Sequence, residues 1–167
     1  MYIAIIIILS LLFDGLLTNY LPYLPNDLSL FTPLLTLTTI FIIYPFFRKK
    51  ENKYYIISFL VGIIYDLFYT NLLFYNAILF LLVAIITKYL YKNFEISYLK
   101  LLIYIPIIIT IYESFQVLII LSFKLVPITI TKLGYKISHS LLLNVIYGEI
   151  IYFINKHIKR KKKLSIN

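Results

Sequence analysis

Cysteine and tryptophan are both absent from the 167 residues. The first absence excludes disulfides, thiolate metal sites and a thiol nucleophile. The second leaves any interfacial aromatic belt to the seventeen tyrosines, several of which (Tyr20, Tyr23, Tyr44, Tyr54, Tyr55, Tyr89, Tyr91 and Tyr98) stand at the ends of apolar runs. Acidic residues are few, seven against sixteen Lys and Arg, and there are only two His and four Gly. His139 and His157 are too far apart in the chain to share a metal with one another. There is no His-Glu-x-x-His pattern, no glycine-rich phosphate loop and no serine in a nucleophile setting. Neither enzymatic activity nor a cofactor is expected.

What fills the chain instead is hydrocarbon. With 62% hydrophobic residues and a mean hydropathy of +0.92, the chain carries more apolar surface than a soluble domain of this length can bury. It reads as an all-α integral membrane protein. A helix that crosses a hydrocarbon core of about 30 Å needs roughly 20 apolar residues, and the sequence offers six such runs. The net charge of +9 collects at run ends, where it orients the bundle and attracts anionic lipid, above all at the basic tail. Nucleic acid is not an expected partner.

The expected spans are 2–20, 28–47, 54–69, 76–91, 98–123 and 137–154, forming one transmembrane domain over 1–155, followed by a basic tail, 156–167. The first run lacks the basic lead and small-residue cleavage site of a signal peptide and reads as a retained span. A proline-punctuated loop, Leu21-Pro22-Tyr23-Leu24-Pro25, follows it. Span two is rich in Thr, whose hydroxyls can bond back to their own helix, and ends at Arg48-Lys49-Lys50-Glu51-Asn52-Lys53. Pro106 is expected to kink span five. With both termini in the cytoplasm, thirteen of the sixteen Lys and Arg lie inside and only Lys124, Lys132 and Lys136 outside, which is the orientation the positive-inside rule favours. Those three lysines leave open a re-entrant or interfacial segment around 126–133.

Four acids fall inside apolar spans: Asp14, Asp66, Glu113 and Glu149. Each needs a reason, because a charge at the bilayer centre costs about 2.5 to 3.5 kcal/mol even on insertion scales. At 1.5 Å per residue, Asp14, Asp66 and Glu113 lie about 18 to 23 Å from the cytoplasmic face, in the outer half. His139, Ser140 and Asn144 enter from the outer end of span six. Asp14, Asp66, Glu113, His139 and Asn144 therefore form a candidate intramembrane polar cluster. Either it is a binding or ion-coupling site, or its members bond helix to helix and fix the bundle. Gly62 lies four residues before Asp66 on the same helix face, where it allows close approach of a neighbouring helix.

The pattern Gly62-x-x-x-Asp66-Leu67-Phe68, with Asn76-Ala77 opening the next apolar run, resembles the central signature of the MreD family of rod shape-determining membrane proteins. Length, span layout, Phe31-x-Pro33 at the start of span two, the basic turn after it and the basic tail are also similar. Two positions depart. The family usually has Gly two residues before the Asn, where this chain has Phe74, and a small-residue turn after the Asp, where this chain has Tyr69-Thr70-Asn71.

The resemblance implies a non-enzymatic membrane subunit of the machinery that inserts peptidoglycan along the side wall of rod-shaped bacteria. Its expected partner is an MreC-like single-span protein and, through it, the MreB filament and the wall synthases. It also implies a fold similar to the six-helix substrate-binding subunits of energy-coupling-factor vitamin transporters. Gly62, Asp66, Asn76 and Ala77 are the matched positions, with packing and partner contact as their implied roles. The competing reading is that the chain is itself such a vitamin-binding subunit. Against it, span one lacks a small-x-x-x-small docking surface and the outer loops are short.

Overall fold

The computed structural model describes residues 2–20, 33–70, 72–93, 98–122 and 130–164, the side chains of 19, 20, 120, 130–133, 135, 136, 139 and 158–164 excepted. Six α-helices and no strands occur among the described residues: α1 (Tyr2–Tyr20), α2 (Leu35–Ile43), α3 (Glu51–Tyr69), α4 (Tyr75–Asn93), α5 (Tyr98–Ser122) and α6 (Ile130–Leu164).

Several helix limits differ from those read in the sequence, each for a local reason. Residues 28–32 of span two lie outside the described residues, and Pro33 and Leu34 are not helical, so α2 begins only at Leu35. Its other end is set by Pro45, which has no N–H to continue the ladder. The chain there tightens into a 3-10 turn, Tyr44–Phe46, closed by the Phe47 N–H on the Tyr44 carbonyl at 2.8 Å. Helix α3 starts three residues early, at Glu51, whose carboxylate suits the positive end of a helix. Helix α5 continues through Pro106. Helix α6 extends both ways, so residues 130–136 of the expected outer loop and 156–164 of the expected tail are helical. Lys and Arg are good helix formers, and at a C-terminus they offset the dipole.

Helix α2 is the axis of the bundle. All nine of its residues are buried, and it packs against α1, α4, α5 and α6. The closest pairing is between α3 and α4, and α5 pairs with α6. The outward faces of the surrounding helices are hydrocarbon: Ile8 and Leu12 on α1, Leu60 and Leu67 on α3, Ile78 and Ile85 on α4, Leu99 and Ile103 on α5, and Leu142 and Ile150 on α6 are all exposed. Exposed apolar residues on every surrounding helix suit a non-aqueous neighbour, protein or lipid.

Among the described residues, two helices, Tyr75–Asn93 and Tyr98–Ile119, are long and apolar enough to cross a membrane; Tyr2–Thr18 and Leu35–Phe46 are shorter apolar segments. Charges gather at the end of the bundle that carries the turn between α2 and α3, where Lys88 of α4 bonds Glu51 of α3 at 2.6 Å. Beneath that turn the Tyr44 ring meets those of Tyr54 and Tyr91 at 5.1 and 5.2 Å.

Candidate functional site

The four matched residues meet at one joint between α3 and α4. Helix α4 begins with backbone N–H groups that have no partner inside their own helix. Asp66, one turn from the end of α3, supplies the acceptors. The Asn76 N–H lies 2.9 and 3.0 Å from its two carboxyl oxygens, and the Ala77 N–H donates to Oδ2 at 3.2 Å. The Asn76 side-chain amide donates to Oδ1 at 2.8 Å, and the Thr70 hydroxyl to the same oxygen at 2.9 Å. A side chain on one helix thus caps the next.

Gly62 makes that reach possible. A Cβ at position 62 would lie 2.4 Å from the Ala77 Cα and 2.7 Å from its nitrogen, so only glycine lets α4 start this close to α3. On the far side, the Asn76 side-chain oxygen Oδ1 accepts a hydrogen bond from the Tyr112 hydroxyl of α5, which in turn accepts one from Gln116 at 2.8 Å. Asp66, Asn76 and Tyr112 are each 1% exposed or less.

The turn that delivers Asn76 requires an unusual backbone. Phe74 has φ = +67°, in the left-handed region that costs an L-residue roughly 1 to 2 kcal/mol and costs glycine nothing comparable. This is the position at which the resembled family carries Gly. The Phe74 ring is half exposed and stacks on Phe59 at 6.4 Å, a small return for the strain. Phe74→Gly is expected to leave the thermal midpoint unchanged or raise it, whereas Phe74→Val, β-branched and intolerant of positive φ, is expected to lower it. Circular dichroism melts of the purified variants check that order.

A second joint repeats the device. Asp14 of α1 accepts from the Leu35 N–H at 2.7 Å and the Thr36 N–H at 2.9 Å, capping α2 as Asp66 caps α4. The preceding N–H, on Leu34, donates to Asn144 Oδ1 of α6 at 2.9 Å, and Asn144 is itself held by the Ser140 carbonyl at 2.7 Å. Next to Asp14, Gly15 makes room for Tyr69 of α3, whose hydroxyl bonds the Leu11 carbonyl at 2.5 Å.

The candidate cluster of five therefore divides. Asp14 and Asn144 meet at the start of α2, and Asp66 joins Asn76 at the start of α4. Glu113 is fully buried on α5, within electrostatic reach of the Tyr65, Tyr75 and Tyr112 phenols. The side chain of His139 lies outside the described residues, as do those of Lys132 and Lys136. Among the described residues, no three His, Asp or Glu side chains converge as a metal site would require.

The joints answer why these acids lack a buried Lys or Arg. Their counter-charge is the amide end of a helix, which carries about half a positive charge. Asp66 takes four donors, close to all that a carboxylate accepts. Sequence reasoning missed Thr70, Tyr112 and Gln116. Pro33 near a helix start, with an Asp inside the preceding apolar run, was the available sign of the Asp14 joint. No family model, curated protein or solved structure matches the chain.

Proposed function

We propose that this protein is a non-enzymatic scaffold subunit of the MreD type. It crosses the bacterial cytoplasmic membrane six times with both termini inside, and it maintains rod shape by binding an MreC-like single-span partner, which links it to the MreB filament and the side-wall synthases. The observation that carries the proposal is that Gly62, Asp66, Asn76 and Ala77, the residues of the resemblance, are spent together on one joint, and that the backbone at Phe74 takes the conformation for which glycine at that position is suited. A signature used this way defines a shape and not a reaction. The exposed hydrocarbon of the outer helices and the basic turn at one end support the placement in a bilayer.

Depletion in the host, with cell outline and labelled wall synthesis followed by microscopy, tests the proposal. Rounding with loss of side-wall insertion is the expected result. An unchanged outline, with a growth defect cured by an added vitamin, would replace it with the transporter reading.

A further inference from the structure

A cationic turn and an apolar groove adjoin at one end of the bundle. The groove, of about 390 Å³, runs between α1 and α3; Ile3 and Ile8 form one wall and Ile57, Leu60 and Val61 the other, with Phe47 also lining it. Phe47 is followed directly by Arg48, Lys49 and Lys50, all exposed, and Lys53 is exposed in the first turn of α3. Lys53 precedes Ile57 by four residues and Leu60 by seven, so the cation and the groove wall share one face of α3. Glu51, the acid within the turn, is engaged by Lys88 of α4 at 2.6 Å, which leaves the turn strongly positive.

We propose that turn and groove together hold one anionic phospholipid of the inner leaflet, its phosphate among the cations of residues 48–53 and one acyl chain along the groove between α1 and α3. The inference rests on the bilayer placement of the proposed function and not on the role in cell shape. Charge complementarity selects the occupant. A lipid presents a phosphate at the interface and hydrocarbon below it, in the order in which the protein presents cations and then apolar walls, and each Lys or Arg near a membrane surface contributes appreciably to anionic lipid binding. A helix of another protein would fill the groove without making use of the four cations.

The absence of tryptophan makes a single introduced one an unambiguous reporter. Leu60→Trp places it in the groove, and Ile150→Trp places it on the exposed face of α6; the replaced side chains are 50% and 53% exposed. The full chain is reconstituted in phosphatidylcholine vesicles containing a minor fraction of either brominated phosphatidylglycerol or brominated phosphatidylcholine. At Leu60→Trp the anionic lipid is expected to quench with about ten-fold higher apparent affinity. That preference should vanish when Arg48, Lys49, Lys50 and Lys53 are changed to Gln, with the helical signal unchanged.

Three results would overturn the proposal. Equal quenching by the two lipids at both reporters would leave ordinary lipid contact without a site. Quenching at Ile150→Trp with none at Leu60→Trp would mean that protein, either a second copy or a partner, covers the groove. Quenching at neither would remove the bilayer placement, and the lipid site with it.

Discussion

Gly62→Ala is expected to be among the most damaging single-methyl changes in this protein, lowering stability by about 3 kcal/mol, with a fall in thermal midpoint on the order of 10 °C. The reason is what the methyl would meet. The added carbon would sit 2.4, 2.7 and 2.8 Å from the Ala77 Cα, the Ala77 nitrogen and the Asn76 carbonyl oxygen, all of them backbone. A helix backbone cannot rotate away, so α3 and α4 must separate, and separation draws Asp66 off the amides it caps. The other glycines provide the comparison. At Gly148 the nearest atom is the terminal methyl of Ile105, at 2.2 Å, which can swing aside. At Gly15 it is the Tyr69 hydroxyl oxygen, at 2.6 Å and held by its hydrogen bond to Leu11. At Gly134 nothing lies within 4 Å, so alanine there should gain up to about 1 kcal/mol from helix propensity. Circular dichroism melts of the four Gly→Ala variants should therefore rank Gly62 lowest, then Gly15, Gly148 and Gly134. A Gly62→Ala protein as stable as the parent would disprove the close approach of α4.

Asp66→Ala is expected to lose about 2 to 4 kcal/mol. Removing the carboxyl orphans three buried donors, the Asn76 and Ala77 N–H groups and the Asn76 amide, while the part-buried Thr70 hydroxyl keeps the Asp66 and Leu72 carbonyls as acceptors. Inside a membrane protein an interhelical hydrogen bond is worth about 0.6 kcal/mol on average and about 1.7 at most, and an orphaned buried donor adds its desolvation cost. Asp66→Asn retains one carbonyl acceptor and should recover part of the loss. Asp14→Ala removes acceptors from only the Leu35 and Thr36 amides and should cost less, by roughly half. The same melts read these differences, and capture of the proposed MreC-like partner by the purified variants reads their consequence for assembly. Partner binding should fall in step with stability. A purified Asp66→Ala protein that kept parental stability and partner binding but failed to restore rod shape in depleted cells would overturn the structural role and point to a ligand or ion at Asp66.

The two joints also bear on where a partner can dock. The polar side chains that looked available in the sequence are mostly turned inward and consumed; on the proposed function, recognition within the bilayer therefore falls to the exposed apolar faces of α1, α3, α4, α5 and α6 and to the charged ends. A partner contributing a single transmembrane helix meets that surface through packing, because helix association in lipid draws on van der Waals fit more than on water exclusion.

Much of this architecture was legible along the chain because its cause is local. The helical class follows from apolar runs of roughly 20 residues, far longer than a strand, whose backbone a helix satisfies within itself. The limits of α1, α4 and α5 follow from where those runs stop, within two residues. The importance of Gly62 and Asp66 follows from their cost in an apolar helix. What tertiary structure alone decided is who meets whom. That α2 is the central helix, packed against α1, α4, α5 and α6, depended on how the helices come together and not on its own residues. The five polar residues were grouped by depth, yet depth does not fix azimuth, and the bundle sends Asp14 to α2 and Asp66 to α4. Both carboxyls take backbone amides of another helix, a donor that every residue except proline carries. No residue type marks it in a sequence, and only the approach of one helix end to another helix side makes it a binding group.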